Sequence, residues 1–369
     1  MPSRSPTLSP PVRLETNLVG VSRSTALSLR MLGPSLHPEG QPQSKLPPAR
    51  PGSRPEPAPM IHEVAPLWVR LAAQTLRILP AGRYRAIDWL PCRGLQPFLM
   101  RLPWNAGGYW FECDPRDAIA REVCFTGRYE PQETALVRTI LRPGMSFVDV
   151  GANWGYFTLL AAWLVGERGR VVGLEPDPRI FPVLERNLAR NGLTTVLALQ
   201  VAASAQHARI LLRGYDEDAG NFGLTRQVAQ ASSEGEHFEV VGEPLDGLLD
   251  RFGLSSVDLL KVDIEGGEGF ALKGLSKSLA THRIHRLLLE LHPQQLSELG
   301  DSPTRILSGL ESLGYRIWVV DHSREATRRA AYHKDVDARG LLHAYRTSER
   351  FGPWPHVLCV ACGREPIER

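Results

Sequence analysis

The chain has 369 residues, which is enough for one large domain or two smaller ones with an ample core. Charged residues make up 22% of it and the formal net charge is only +3, so no strong field for nucleic acid is implied, although a local basic face is not excluded. The five cysteines are odd in number and scattered, which argues against a disulfide framework and for free thiols in a reducing compartment, so the expected location is cytoplasmic.

Residues 1–59 differ in composition from the rest of the chain. They are rich in Pro, Ser and Arg and contain no aromatic residue. Such a segment cannot bury enough apolar surface to offset the entropy lost on ordering, so we predict a disordered leader. A further hypothesis is that the natural protein starts at Met60, which the intact mass of that protein would test.

Residues 60–126 are predicted to form an N-terminal unit that caps the fold or faces the acceptor. Apolar residues recur at helical spacing over 61–78, which predicts an amphipathic helix that docks on the core. Several nearby arginines make a membrane-surface role the alternative. The aromatic-rich stretch 103–126 alternates like a small antiparallel β-unit. A helix over 133–141 then leads to the first core strand.

The first core strand runs into a glycine turn, in the sequence Phe147-Val-Asp-Val-Gly-Ala-Asn-Trp-Gly-Tyr-Phe157. In a doubly wound α/β sheet, ligands bind beyond the carboxyl ends of the strands. A dinucleotide site would require G-x-G-x-x-G, whereas this turn offers only Gly151 and Gly155. The spacing therefore favours a ligand without a pyrophosphate, and S-adenosylmethionine is such a ligand.

A second strand over 170–174 ends at an acid, Glu175, which is placed to accept hydrogen bonds from both ribose hydroxyls. Asp149 is placed to face the amino-acid end of the cofactor, whose cationic sulfonium favours carboxylates and aromatic faces. The alternative is a structural turn in which Glu175 is an ordinary solvated acid. Between these strands, residues 159–165 are read as a buried helix. No apolar run reaches 18 residues, so no membrane span is predicted.

The next segments continue the alternation of strands and helices. Asp177 and Pro178 predict the start of a helix, and Asn191-Gly192 its end. Strands are predicted over 196–202 and 208–213. The Asn221-Phe-Gly223 segment is either part of the acceptor pocket or a simple turn. The pair Cys359-Val-Ala-Cys362 lacks the second ligand pair of a zinc site and is interpreted as the end of an edge strand.

Charged residues follow two apolar strands, over 257–264 and 286–292, that are predicted to be central in a parallel sheet. Side chains alternate along a strand, so Lys261, Asp263 and Glu265 share one side, and Glu290 and His292 share a side on the next strand. Charges at the ends of central strands are costly to desolvate. We therefore expect the reaction site here.

Methyl transfer from a sulfonium requires an aligned acceptor oxygen and a base for the hydroxyl proton. We predict Asp263 and Glu265 as acceptor-orienting groups and His292 as a candidate base. The alternative for His292 is a strand-end histidine that is hydrogen-bonded in a loop. These residues and Glu290 have the side chains to ligate Mg²⁺, but the sequence does not establish a metal and none is assigned.

Together these motifs resemble those of FkbM-type S-adenosylmethionine-dependent methyltransferases. The matching segments include Gly127-Arg-Tyr-Glu-Pro131, Pro143-Gly144, Phe147-Val-Asp-Val-Gly-Ala-Asn-Trp-Gly-Tyr156, Gly173-Leu-Glu-Pro-Asp177, Leu260-Lys-Val-Asp-Ile-Glu-Gly266 and Leu289-Glu-Leu-His-Pro293. The resemblance implies a Rossmann-like α/β fold with a seven-stranded, mostly parallel sheet and helices on both faces, in a catalytic domain over 127–363. It also implies O-methylation of a hydroxyl on a sugar, a polysaccharide unit or a secondary metabolite.

The resemblance further assigns residues to the cofactor. Those implied to bind S-adenosylmethionine are Asp149, Gly151, Asn153, Gly155 and Glu175, and those implied to lie near its adenine are Ala202, Ala203 and Ser204. The expected partner is a small-molecule or glycan hydroxyl acceptor rather than a nucleic acid. The oligomeric state is left open.

Three other functions share parts of this pattern. An NAD-dependent oxidoreductase would share the strand, turn and acid, but the glycine spacing and the Lys-Val-Asp-Ile-Glu-Gly string count against it. A nucleic-acid methyltransferase would be expected to show an Asn/Asp-Pro-Pro-aromatic motif, and none occurs at the fourth strand. A noncatalytic binding protein that retains the fold stays open as the main alternative.

Overall fold

The computed structural model describes residues 63–91, 94–215, 220–233, 235–333, 336–347 and 351–368. The predicted leader over 1–59, the hypothetical start at Met60 and Cys92 lie outside these ranges. The helices are α1 (Leu67–Ile78), α2 (Arg83–Ile87), α3 (Ala118–Thr126), α4 (Pro131–Ile140), α5 (Tyr156–Val165), α6 (Phe181–Arg190), α7 (Leu245–Arg251), α8 (Glu268–Lys273), α9 (Ser276–Ala280), α10 (Pro293–Glu298), α11 (Pro303–Ser312) and α12 (Arg324–Tyr332). The strands are β1 (Phe98–Arg101), β2 (Trp110–Cys113), β3 (Ser146–Val150), β4 (Arg170–Leu174), β5 (Val196–Leu199), β6 (Ala202–Ala203), β7 (Ala208–Arg213), β8 (Arg226–Gln227), β9 (His237–Glu243), β10 (Leu259–Val262), β11 (Arg286–Glu290), β12 (Tyr315–Val320), β13 (Leu342–Ala344) and β14 (His356–Ala361).

The largest sheet formed by the described residues has eight strands in the order β13-β12-β14-β11-β10-β3-β4-β5. The five strands from β11 to β5 are parallel, and β14, β12 and β13 pair antiparallel. The chain leaves β3 for β4 on one side and later adds β10 on the other, so the order reverses at β3. This confirms the predicted Rossmann-like, mostly parallel sheet. The sheet has eight strands where seven were expected, because the three-residue strand β13 adds one at the edge.

Helices cover both faces of this sheet because the side chains of each central strand alternate between two apolar cores. Phe147 packs into one core with residues of α4, α5 and α6. Val148 and Val150 pack into the other core with residues of α7, α9 and α11. Since both faces are covered, the central strands are apolar along most of their length, and their charged residues gather toward the carboxyl ends.

The N-terminal part of the fold differs from the predictions in two places. The first helix begins at Leu67 rather than at residue 61, because Val64 forms a bridge with Leu99 and so has an extended backbone. The predicted β-unit over 103–126 is strand only in β2, which pairs with β1, and residues 118–126 form α3. The Asp117 carboxylate starts α3 by accepting the N–H of Ala120 at 2.7 Å.

Two predictions that follow the second core strand are also corrected. Asp177 does not cap a helix, because α6 begins only at Phe181. Its carboxylate instead accepts the backbone N–H of Arg179 at 2.8 Å and forms an ion pair with the Arg179 guanidinium at 2.9 Å. The strand predicted over 196–202 is split: β5 belongs to the large sheet, and β6 joins a separate four-stranded sheet in the order β6-β9-β7-β8. The predicted helix end at Asn191 is confirmed.

Cys359 lies in an interior strand of the sheet and not in an edge strand, whereas Cys362 is exposed just beyond the end of that strand. β14 lies between β11 and β12, and Cys359 is fully buried there. Cys113, Cys124, Cys359 and Cys362 are free thiols, as predicted. Among the residues that the structure describes, no helix combines the length and the apolar character that a membrane span requires.

Candidate active site

A cavity opens at the carboxyl ends of β3, β4 and β10, where the strand order reverses. It encloses about 1170 Å³ of empty space, including a part that is open to solvent. One side is formed by the glycine turn (residues 151–155) and the end of β4. The opposite side is formed by four charged residues, which we call the charged wall: Lys261, Asp263, Glu265 and Glu290. Ligands of open α/β sheets bind at this position in the fold.

The glycine turn is built from backbone conformations that favour glycine. Gly151 and Gly155 have φ values of 87° and 91°, and Asn153 has a φ of 50°. A Cβ atom on Gly151 would lie 1.9 Å from the backbone oxygen of Asp263. Only glycine therefore fits where β3 and β10 end side by side. A side chain at Gly151 would therefore clash with the protein backbone and would not project into space for a cofactor.

Glu175 faces this turn from the end of β4. Its Oε2 accepts the N–H of Asn153 at 2.8 Å, and its Oε1 accepts the N–H of Asp177 at 2.9 Å. Burial raises the pKa of Glu175 to about 8, and the two backbone N–H donors oppose this shift. The side chain lines the cavity. Each carboxylate oxygen has a second lone pair for a hydroxyl donor.

The other residues predicted to bind the cofactor lie either on the cavity surface or behind it. Asn153, Ala202 and Ala203 line the cavity. Ser204 does not, since its hydroxyl donates to the backbone oxygen of Gln206 at 2.6 Å. The Ser204 prediction therefore finds no support in the geometry.

Asp149 and Gly155 support the turn from behind. Asp149 is 1% exposed and accepts the hydroxyl of Thr158 at 2.7 Å, which fastens α5 to β3. Burial raises the pKa of Asp149 to about 6, and Lys261 opposes this shift. Gly155 precedes α5 and packs against Leu184. Neither residue is among those that line the cavity, and the contact of Asp149 with the cofactor stays a prediction.

The Asn221-Phe-Gly223 segment lines the cavity, which favours the pocket interpretation over that of a simple turn. The N–H of Phe222 donates to Asp117 at 2.9 Å. The Phe222 ring stacks on Tyr215 at a centroid distance of 4.5 Å and on Trp154 at 6.4 Å. This aromatic stack gives the cofactor side of the cavity a flat apolar surface.

The charged wall contains a buried ion pair. Lys261 Nζ lies 2.8 Å from Asp263 Oδ2 and 4.8 Å from the centroid of the Phe157 ring. Burial acts to lower the pKa of Lys261, but Asp263 and Glu130 outweigh it and raise that pKa. Burial acts to raise the pKa of Asp263, but Lys261 outweighs it and lowers that pKa. Both groups are therefore charged at neutral pH.

The other two acids of the wall are held closer to their neutral forms. Burial raises the pKa of Glu265 to about 7, and the charge of His292 opposes this shift. Gln295 Nε2 donates to Glu265 Oε2 at 3.4 Å. Burial, followed by the charge of Asp263, raises the pKa of Glu290 well above its usual range. Glu265 is thus the acid of the wall that titrates near neutral pH.

His292 lies behind the wall and is 1% exposed. Its Nδ1 lies 2.8 Å from Glu268 Oε1, and its Nε2 lies 3.5 Å from Glu265 Oε2. Burial acts to lower the pKa of His292, but Glu268 and Glu265 outweigh it and raise the pKa to about 9. An imidazolium has no free lone pair, so this raised pKa argues against His292 as the base.

Three aromatic residues that line the cavity were not singled out from the sequence: Tyr129, Tyr156 and Phe157. The rings of Tyr129 and Tyr156 meet edge to face at 6.3 Å. The signal for Tyr156 and Phe157 was present, because residues that open the helix after a ligand-binding turn must lie near the ligand. Tyr129 comes from the segment before α4, and no local pattern indicates its position.

Comparison with known proteins agrees with this architecture. Residues 149–317 match the methyltransferase FkbM domain family. The chain is similar to Methyltransferase 1 of Beauveria bassiana, with 31% identity over 149 residues that cover 36% of this chain and 59% of that protein. It is 29% identical over 176 residues to the 31-O-demethyl-FK506 methyltransferase FkbM of Streptomyces tacrolimicus, covering 41% of this chain and 67% of that protein.

Two further similarities have lower sequence identity. The antimetabolite synthetase AmbE of Pseudomonas aeruginosa is 27% identical over 187 residues, which are 42% of this chain and 9% of that protein. The chain thus spans less than two thirds of the length of AmbE and of Methyltransferase 1. A solved structure of a methyltransferase FkbM from Methylobacillus flagellatus aligns with a TM-score of 0.36 at 18% identity, covering 65% of this chain and 52% of that chain.

Proposed function

We propose that this chain, of which residues 149–317 match the methyltransferase FkbM domain family, is an S-adenosylmethionine-dependent methyltransferase of that family and methylates a hydroxyl oxygen of a small-molecule or glycan acceptor. One observation carries the proposal. A single cavity has the doubly anchored Glu175 on one side and the charged wall on the other. When bound, the cofactor supplies a sulfonium methyl group for in-line displacement.

The side of the cavity next to the glycine turn fits the nucleoside part of the cofactor. The remaining lone pairs of Glu175 accept two ribose hydroxyls, which favours the ionised carboxylate. The small side chains of Ala202 and Ala203 leave space for a flat base, and Phe222 supplies an apolar surface. The two-glycine turn carries no third glycine for a pyrophosphate. These features support S-adenosylmethionine over a dinucleotide.

The charged wall supplies the groups that an acceptor hydroxyl requires. Asp263, kept ionised by Lys261, accepts a hydrogen bond from the hydroxyl and orients it. Glu265 removes the proton, because a base is most effective when its pKa lies near the working pH. His292 holds Glu265 in place and keeps its pKa from rising further. The Streptomyces relative is a 31-O-demethyl-FK506 methyltransferase, which supports oxygen as the acceptor atom.

The proposal is tested first by cofactor binding. The full chain is titrated calorimetrically with S-adenosylmethionine, its demethylated product and NAD in parallel. Binding of the first two ligands at micromolar concentrations, without NAD, is the expected result. The chain is then incubated with methyl-labelled cofactor and a panel of sugars, oligosaccharides and hydroxylated metabolites. Label on an acceptor oxygen supports the proposal. Cofactor binding without transfer to any acceptor class would favour a noncatalytic binding protein, and binding of NAD alone would contradict the cofactor.

Glu175→Ala should weaken S-adenosylmethionine binding by about 1–3 kcal/mol, or roughly 5- to 150-fold, because two hydrogen bonds to the ribose are lost. Calorimetric titration measures the change. Glu185→Ala is the matched control, since Glu185 is an exposed glutamate on the neighbouring helix α6. Equal affinities for both variants would show that Glu175 does not contact the ribose.

His292→Gln should move the acidic limb of the kcat/KM profile to higher pH by about one pH unit. The imidazolium lowers the pKa of Glu265, so its removal raises that pKa, and a higher pH is then needed to ionise the base. Gln keeps a hydrogen-bond donor toward Glu268. The profile is measured on the acceptor identified by the labelling screen, with the exposed His207→Gln as control. An unchanged acidic limb of the pH profile would show that His292 does not influence the pKa of Glu265.

A further inference from the structure

We propose that Glu133, His322 and His356 bind a divalent transition-metal ion of the zinc class, at a site outside the cofactor cavity. Their ligand atoms all lie within 4.8 Å of one another. Glu133 Oε1 lies 2.8 Å from His322 Nε2 and 3.0 Å from His356 Nδ1. Two imidazoles and one carboxylate form a three-residue zinc set that leaves a fourth position for water. We call these three residues the histidine cluster.

The fold brings the histidine cluster together from three separate elements. Glu133 lies on α4, His322 lies between β12 and α12, and His356 begins β14. Contacts outside the cluster hold the α12 segment against α4. Gln132 Nε2 donates to the hydroxyl of Thr327 at 2.7 Å. Similar support comes from Arg128, whose guanidinium donates to the backbone oxygen of Ala330 at 2.6 Å. His322 is therefore positioned by the surrounding structure.

Both histidines contact the same carboxylate oxygen, Glu133 Oε1, through His322 Nε2 and His356 Nδ1. The two rings stack with a centroid distance of 4.3 Å and an angle of 25°. The second oxygen, Oε2, is buried and has no hydrogen-bond partner in the described part of the chain. A buried acceptor without a partner is unusual in a folded protein, and an ion bound by both oxygens of Glu133 would satisfy it.

His356 also has the second contact that is typical of a metal ligand. A metal-bound histidine usually donates its other ring N–H to a carboxylate, which fixes the ring and its tautomer. While His356 Nδ1 faces Glu133, its Nε2 lies 3.5 Å from Glu290 Oε1. His322 provides a route for the ion, because its side chain is 40% exposed whereas that of Glu133 is fully buried.

The residues of the cluster also indicate the class of ion. Zinc–ligand bonds of about 2.0–2.2 Å place tetrahedral ligand atoms roughly 3.3–3.6 Å apart. Glu133 Oε1 would therefore move slightly away from the two ring nitrogens, and any pair of ligand atoms near the 4.8 Å limit would move closer by about 1 Å. Imidazole nitrogens suit zinc, copper, iron and nickel, whereas Mg²⁺ and Ca²⁺ prefer oxygen. Asp263, Glu290 and His292 form a similar group, but Lys261 already holds Asp263 at 2.8 Å and Glu268 holds His292 at 2.8 Å. We therefore assign the ion to the histidine cluster.

The test uses the full, tag-free chain after treatment with a chelator and dialysis. It is titrated with Co²⁺ as a spectroscopic probe, then with Zn²⁺, and separately with Mg²⁺. The expected result is one Co²⁺ per chain, with visible absorption bands that Zn²⁺ removes, and no comparable response to Mg²⁺. Saturating Zn²⁺ should raise the unfolding temperature by about 5 °C. No stoichiometric uptake of Co²⁺ or Zn²⁺ would overturn the proposal.

His322→Ala identifies the site, and its partial exposure makes the substitution compatible with folding. It should weaken Zn²⁺ binding by about 100-fold and abolish the Co²⁺ bands, whereas the exposed His207→Ala should bind as the unaltered chain does. Equal Zn²⁺ affinity in both variants would overturn the assignment. Titration of the same samples with S-adenosylmethionine separates this inference from the proposed function. Unchanged cofactor affinity in His322→Ala supports a separate site, and joint loss of both ligands would contradict it.

Discussion

Glu265→Gln should lower kcat by about 10²- to 10⁴-fold while leaving S-adenosylmethionine affinity almost unchanged. Gln has the shape of Glu but accepts no proton in this range of pH. Glu265 and Glu175 both line the cavity, but they follow different strands, so the substitution should leave the proposed ribose contacts of Glu175 intact. Its positive φ of 50° and its bond from Gln295 place the carboxylate at the end of β10, next to Asp263.

The pH profile gives a second measure of the same role. Burial raises the pKa of Glu265 to about 7. Its ionised form is the base, so the rate should be full above pH 7 and fall as the pH drops through that value. In Glu265→Gln this limb should disappear from the remaining activity. Turnover is measured on the acceptor found by labelling, with the exposed Glu311→Gln as control. Full turnover by Glu265→Gln would place the base elsewhere on the wall.

Gly151→Ala should reduce S-adenosylmethionine affinity by at least about 100-fold and destabilise the fold by about 2–4 kcal/mol. The added Cβ would meet the backbone oxygen of Asp263 at 1.9 Å, and a backbone atom cannot move aside as a flexible side chain does. Its φ of 87° adds strain. Because this contact joins the glycine turn to the charged wall, both sides of the cavity must shift.

Gly144→Ala is the matched control for this prediction. Gly144 has almost the same φ, 88°, but a Cβ there would meet nothing within 4 Å. The Gly144→Ala variant therefore has the backbone strain without the clash. We expect its free energy of unfolding to fall by only about 1 kcal/mol, with normal cofactor binding. Denaturant unfolding and calorimetric titration measure both effects. Wild-type cofactor affinity in Gly151→Ala would contradict the close approach of the two strand ends.

The parts of the site that follow from local chemistry could be predicted from the sequence. The glycine turn was recognisable because a left-handed backbone favours glycine, and Glu175 because an acid ends a buried strand at a fixed distance from that turn. Strand alternation indicated the position of Lys261 within β10, because it is a local property. The strand is shorter than predicted, since β10 ends at Val262, and Glu265 reaches the wall through a turn with a φ of 50° that alternation does not predict. Residue roles within the wall remain proposals, although its position at the cavity matches the prediction.

The parts that depend on contacts distant in sequence could not be predicted. The high pKa of His292 comes from Glu268, which lies on a different element, so a strand-end pattern gives no indication of it. Asp177 resembles a helix cap in the sequence, but in the structure its carboxylate binds Arg179 and Thr225 instead. The histidine cluster draws on residues 133, 322 and 356, which share no local motif.

The position of β14 also bears on how the protein acquires its structure during synthesis. β14 is the last strand of the large sheet in chain order, yet it lies between β11 and β12, with Arg286 paired to Val360. The parallel strands can assemble on the ribosome, but β11 keeps an open apolar edge until residue 361 has been made. During that interval the open edge would favour aggregation. Closure of the sheet, and with it the approach of His356 to Glu133, therefore requires synthesis of the chain through residue 361.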